Sequence, residues 1–269
     1  MHYTIMLRNV FFYSLLTLIN LALIELSYAQ SRWQEAEYIK TSFIDIALGR
    51  EYDKLQESRL VRWQKTIKVH IASDSGDAKL QKDLLSVQVE HLASITGHPI
   101  LFDVPLKQAN ISIIFTQYKQ MRNKVEQYIG NPKNYEKALS EAICLGTFKN
   151  NRRGEIFKGV IIIPVDYARQ NARFLDCIIE EITQLLGLPN DSDKVFPSIF
   201  NDNSIDAYLS PLDYILLKVL YSPKLKAGMS LTQVSSKLDS VIADLNRSGE
   251  IQDAALRVNL QSLKRYVGD

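Results

Sequence analysis

The chain has 269 residues, a formal net charge of +2 and 46% apolar residues. This balance suits a folded globular domain and excludes a disordered chain. No basic stripe with interleaved aromatics is present, so the sequence carries no electrostatic footprint for nucleic acid. The lysines of "LYSPKLKAG" are dense but local, and they read as a solvated face.

Residues 1–29 stand apart. Arg8 precedes the apolar run "VFFYSLLTLINLALIEL", and Ser27 and Ala29 supply small residues before a cut. This pattern predicts a secretory signal removed after Ala29, and hence a periplasmic or secreted protein with no stable membrane insertion after cleavage. A retained anchor is the alternative, because the run approaches spanning length. Both cysteines, Cys144 and Cys177, lie in the exported part. An even pair in an oxidising compartment predicts a disulfide, with two buried thiols as the alternative.

From Ser31 onward, "SRWQEAEYIKTSFIDIALGREY" has helical spacing and stops near Gly49. Ile67, Val69 and Ile71 alternate with Lys68 and His70, the mark of a half-buried strand. "AKLQKDLLSVQVEHLASITG" is a helix closed by Gly97. "HPILFDV" and "ANISIIFTQY" read as strands, and residues 119–150 as a helix with loops. "GEIFKGVIIIPVD" is the most apolar strand. A helix from about Asn171 to Leu186 follows it, then a long loop rich in Asn, Asp and Ser. "SPLDYILLKVLY" is a buried helix with Ser210 as N-cap and Pro211 at its first position. The segment from Ser230 is amphipathic and breaks near Gly249. The order predicts an α/β fold of α+β character: a mixed sheet over residues 30–235, with residues 236–269 as a helical extension packed on the same domain.

The segment "CIIEEITQLLGLPND", Cys177–Asp191, carries the functional question. On a helical wheel, Phe174, Leu175, Ile178, Ile179, Ile182, Leu185 and Leu186 form one broad apolar side. Asp176, Glu180, Thr183, Gln184 and Gly187 form the other. Glu180 and Gln184, four apart, project together, and Glu181 falls at the border. A semi-buried Glu is costly without partners. Hydrogen bonds from the turn after Gly187 or from "SIFND" are therefore expected at Glu181.

The spacing resembles the H-E-x-x-H-x-x-G-x-x-H helix of metzincin-type zinc peptidases. Glu180, Gln184 and Asn190 stand at the three ligand places, Glu181 at the general-base place, and Gly187 matches. "SIFND" falls near the Met-turn position, and "LSPLDYILLKVLY" resembles the following short helix. Taken in order, "RWQKTIKVHI", "CIIEEITQLLGLPND", "SIFND" and "LSPLDYILLKVLYSPKLKAGM" resemble a family of bacterial exported proteins known as a domain of unknown function, over roughly residues 45–235. The resemblance implies a zincin-like sheet with an active-site-type helix, and no activity comes with it.

Zinc prefers imidazole and thiolate, so one carboxylate with two amides is a poor set for it. No cofactor is expected. A hard cation such as Ca²⁺ suits the oxygens of Glu180, Gln184 and Asn190 better than zinc does, and the loop offers more oxygen at Asp191, Asp193, Asn201, Asp202 and Asn203. His70, His91 and His98 lie far upstream. The leading expectation is a pseudo-peptidase that binds peptide or protein in the cell envelope through the polar cluster of Glu180, Gln184, Asn190, Asp191, Asn201 and Asp202. The alternatives are a hydrolase using Glu181 as general base at an atypical metal site, and a structural or assembly factor of the envelope.

Overall fold

A computed structural model describes residues 32–49, 59–201, 203–204 and 207–268. The signal expected over residues 1–29 lies outside the described residues, as does Asp202.

The first helix, α1 (Ala36–Leu48), leads to two strands, β1 (Arg62–Trp63) and β2 (Ile67–Ser73). Helix α2 (Ala78–Thr96) follows. Asp77 caps its N-terminus through the amides of Lys79 and Leu80, and Gly97 ends it in the left-handed region at φ 65°. Strand β3 covers only Ile100–Leu101, shorter than "HPILFDV" suggests, and β4 is Ile111–Thr116. Residues 119–150 hold more than the expected helix and loops. They contain α3 (Met121–Tyr128), α4 (Glu136–Glu141) and a strand, β5 (Leu145–Asn150). After β6 (Glu155–Pro164) come α5 (Val165–Gln170), α6 (Phe174–Gln184), α7 (Pro211–Leu220), α8 (Leu231–Arg247), α9 (Ala254–Arg257) and α10 (Leu263–Val267).

The sheet runs β1-β6-β4-β2-β3, all parallel pairs, with β5 added antiparallel to β6. It is therefore a mixed α/β sheet. The strands β4 and β6 are apolar on both faces because both faces are covered. Ile111, Ile113, Phe115, Ile161 and Ile163 point into the main core with α1, α2, α6 and α7. Ile114, Leu145, Val160 and Ile162 point the other way, onto Met121 and Val125 of α3. Period-two alternation thus serves two cores at once.

Helix α7 sits in the middle of the main core, with Leu212, Ile215, Leu216, Leu217, Val219 and Leu220 all buried. Its start is a full capping box. The Ser210 hydroxyl accepts from the Asp213 amide, and the Asp213 carboxylate accepts from the Ser210 amide. Helix α8 runs unbroken across residue 235, and Ile251, Ala254, Val258 and Leu263 join the same buried cluster as the sheet. Among the described residues, no helix is long and apolar enough to cross a membrane.

Candidate functional site

Helix α6 lies under the sheet at β5 and β6. Phe174, Ile178, Ile179 and Ile182 are buried, as the wheel predicts, and Cys177 is buried with them. Thr183 departs from that wheel. It is fully buried, and its hydroxyl satisfies itself on the Ile179 carbonyl. The helix end is locked from both directions along the chain: the Trp63 indole donates to the Leu185 carbonyl at 2.8 Å and the Tyr221 hydroxyl to the Leu186 carbonyl at 3.0 Å. At Gly187 the chain turns with φ 121°, and a Cβ there would stand 2.2 Å from the Val61 carbonyl oxygen. Only glycine fits a turn of that conformation pressed against backbone.

The polar side of α6 faces a cavity of about 820 Å³. Glu180, Glu181, Gln184 and Asp191 line it together. Residues 134–144, which carry α4 and the approach to β5, form the opposite wall. Gln184 Nε2 donates to Asp191 Oδ1 at 2.9 Å, and Arg173 holds Asp176 at 2.9 Å and Glu180 at 3.5 Å. The i,i+4 pairing of Glu180 and Gln184 therefore does place both side chains in one pocket.

Asn190 does not join them. Its amide nitrogen donates to the Ile46 carbonyl at 2.8 Å, so it ties the loop to α1. The turn at Gly187 carries Asn190 out of the cavity and brings Asp191 in. Asn201 is also elsewhere: it donates to the carbonyls of Asp193 and Val195 and lines a small recess with Arg173, Asp176 and Glu180.

Glu181 finds a different partner from those expected. Its carboxyl accepts from the Gly146 amide on β5 rather than from the Gly187 turn or the "SIFND" loop. Its Oε2 atom lies only 2.1 Å from where a Cβ on Gly146 would be, so the glycine makes room for the acid. An isolated glycine within a strand is the sequence signal for such a close approach, and "CLGTF" carries it. Burial raises the Glu181 pKa to about 8, and the nearby charges of Glu180 and Asp191 add to the rise. Glu181 is therefore mostly protonated at neutral pH.

Arg173 and Gly146 are the functional candidates that sequence spacing alone misses. The first lies one residue before the helix, and the second is 35 positions from its acid by subtraction of the two residue numbers.

Cys144 and Cys177 form a disulfide, with Cα atoms 5.9 Å apart and 33 positions between them in sequence. It pins the start of β5 to α6 at the lip of the cavity. Chain-entropy arguments give such a crosslink about 3 kcal/mol. Reduction, or a Cys144→Ser/Cys177→Ser double variant, is expected to lower unfolding free energy by that amount in denaturant titrations; an unchanged midpoint would refute the estimate.

The cavity's donors are oxygens, and that set does not fit zinc. None of the described histidines supplies the missing imidazole. His70 Nδ1 pairs with the Val104 carbonyl and His98 Nε2 with the Lys65 carbonyl. His91 is buried on α2, where desolvation lowers its pKa to about 4. Among the described residues, no group of three or more His, Cys, Asp and Glu side chains is arranged to hold a metal ion.

No curated protein matches the chain. A family model does match, over residues 36–240, a span that includes α1, the whole sheet, α6 and α7. The chain belongs to the family described as Protein of unknown function (DUF2927).

Proposed function

We propose that the chain is an exported, peptidase-shaped binding protein that holds an extended peptide or protein segment in the cleft between β5 and α6. One observation carries this reading. A cavity of about 820 Å³ gathers Glu180, Glu181, Gln184 and Asp191 beside β5. Among the described residues that strand pairs with β6 alone. An antiparallel edge strand offers main-chain hydrogen bonds to an added strand, and adjoining pockets sort the side chains. The protonated Glu181 can donate a hydrogen bond to a ligand carbonyl, and Glu180 with Arg173 presents both signs of charge. The disulfide supports an oxidising compartment such as the periplasm.

A hydrolase is the second reading, and the raised pKa of Glu181 favours it. A carboxyl tuned toward neutrality can move protons near working pH. Metal chemistry is not invoked, because the donor set does not fit zinc.

The test is fluorescence polarisation with short, unstructured, labelled peptides on the full chain, followed by mass spectrometry of the peptides. Binding that Gln184→Ala weakens by about tenfold, as expected for a lost polar contact worth roughly 1.4 kcal/mol, supports the binder. Peptide cleavage abolished by Glu181→Gln would replace it with the hydrolase. Neither binding nor cleavage would overturn both.

A further inference from the structure

We propose that a second cavity, at the far end of the β5–β6 hairpin from the peptide cleft, is a binding site for a phosphate-bearing ligand, a phosphate ester or a diphosphate. The cavity has a volume of about 610 Å³. Among the described residues, Arg59, Arg62, Arg152, Arg153 and Lys226 line it, against one carboxylate, Glu155. That carboxylate is already engaged: its Oε2 accepts from Asn151 at 2.7 Å and from Arg153 at 3.0 Å. With Arg59 left aside, the positive surplus of the described lining residues still exceeds the net charge of the entire chain, +2.

Arg62 is the group that most needs an anion. Its Nη1 donates to three carbonyls, of Leu220, Ser222 and Leu225, at 2.7, 3.2 and 3.1 Å. Its guanidinium lies 4.9 Å from the centre of the Tyr221 ring. Its Nε is buried with no hydrogen-bond partner, and Glu155, the carboxylate among the described lining residues, pairs with Arg153. Carbonyl dipoles and an aromatic face soften the cost of a part-buried cation but leave its charge uncompensated. An anion in the adjoining cavity would compensate it.

The site is also built rigidly. The Arg62 amide donates to the Gly154 carbonyl at 3.1 Å, and the Gly228 amide to the Leu60 carbonyl at 2.8 Å. Arg59 Nη1 donates to the Gly228 carbonyl at 3.1 Å. A Cβ on Gly154 would lie 2.4 Å from the Gly228 nitrogen, and one on Gly228 would lie 2.6 Å from the Arg153 carbonyl oxygen. The glycines let "NRRG" and "KLKAG" meet backbone to backbone, which fixes their cations around one concavity. The lysines of "KLKAG" thus belong, in part, to a pocket rather than to a plain solvated face.

A phosphate group fits this chemistry best. Arginine forks match its oxygens bidentately, and one such group carries enough charge to answer several cations. The cavity exceeds the room that a lone orthophosphate needs, hence an ester or a diphosphate. Free phosphate compounds and anionic lipid headgroups share this chemistry.

Two arms separate those sources. Calorimetric titration of the full chain with inorganic pyrophosphate reads the free form. Co-sedimentation with phosphatidylglycerol vesicles, less that with phosphatidylcholine vesicles, reads the headgroup. Binding in either arm is expected to fall with added salt. Arg152→Gln and Lys226→Gln, both at exposed positions, are each expected to weaken it by about tenfold. Lys264→Gln, outside the cavity, leaves it unchanged. Pyrophosphate binding alone assigns a free phosphate compound, and a vesicle difference alone assigns a headgroup. Absence of both, or equal binding by an Arg152→Gln/Lys226→Gln double variant, overturns the proposal. Peptide binding is not a readout, so the result stands apart from the cleft.

Discussion

Asp213→Ala is expected to lower the unfolding free energy by about 4 kcal/mol, the range for removing one partner from a buried, charge-assisted network. The carboxylate is fully buried at the start of α7 and serves three donors. Ser198 Oγ donates to Oδ1 at 2.6 Å, the Ile199 amide to Oδ2 at 3.1 Å and the Ser210 amide to Oδ2 at 2.8 Å. Truncation leaves all three buried without an acceptor and opens a void in the centre of the core. It also frees the segment that carries Asn201 toward the recess shared with Arg173 and Glu180. Urea titration checks the prediction through a lower midpoint at unchanged slope. Asp213→Asn keeps an acceptor but turns an amide donor toward other donors, so it should fall between wild type and Ala. A loss below about 1 kcal/mol for Asp213→Ala would mean that the network contributes only as much as an ordinary hydrogen bond.

What could be read from the sequence follows the range of the interaction. Local grammar was legible: the alternation in β2, the Gly97 stop of α2, the cap at Ser210 and the apolar side of α6 all rest on neighbours within a few positions. Strand β5 was not. "LGTFKN" is short, contains a glycine, and leaves Lys149 and Asn150 exposed, so it lacks a buried face long enough to show period two. Its place is set by β6, through a hairpin that begins in "NNRRG".

The site divides the same way. Glu180 and Gln184 could be paired by helix geometry alone. Asn190 could not be placed, because a frame borrowed from a regular spacing ignores where α1 stands. The Ile46 carbonyl, far upstream, decides where that amide goes. Glu181 was recognisable as a misfit on its helix, but its answer lay on a strand that the sequence did not reveal.

That same misfit gives the second large effect, a loss of stability with rising pH that Glu181→Gln should remove. The folded-state pKa is about 8, against an ordinary value of 4.5. Below 4.5 the carboxyl is protonated in both folded and unfolded chains, and the group contributes no pH dependence. Between 4.5 and 8 the unfolded chain releases its proton while the folded chain keeps it. The unfolded state is then favoured by about 1.4 kcal/mol per pH unit. Above 8 both forms are ionised and the loss levels off, at a total of about 5 kcal/mol.

Glutamine cannot ionise, and its carbonyl can still accept from the Gly146 amide. The variant should match wild type near pH 4 and exceed it clearly at pH 8, as read by denaturant titration at both values. Equal stability at both would mean that the acid is solvated and ordinary. The same proton divides the two functional readings. If protonated Glu181 donates to a bound peptide, affinity falls as pH passes 8. If ionised Glu181 acts as a base, a cleavage rate rises toward a plateau over that same interval.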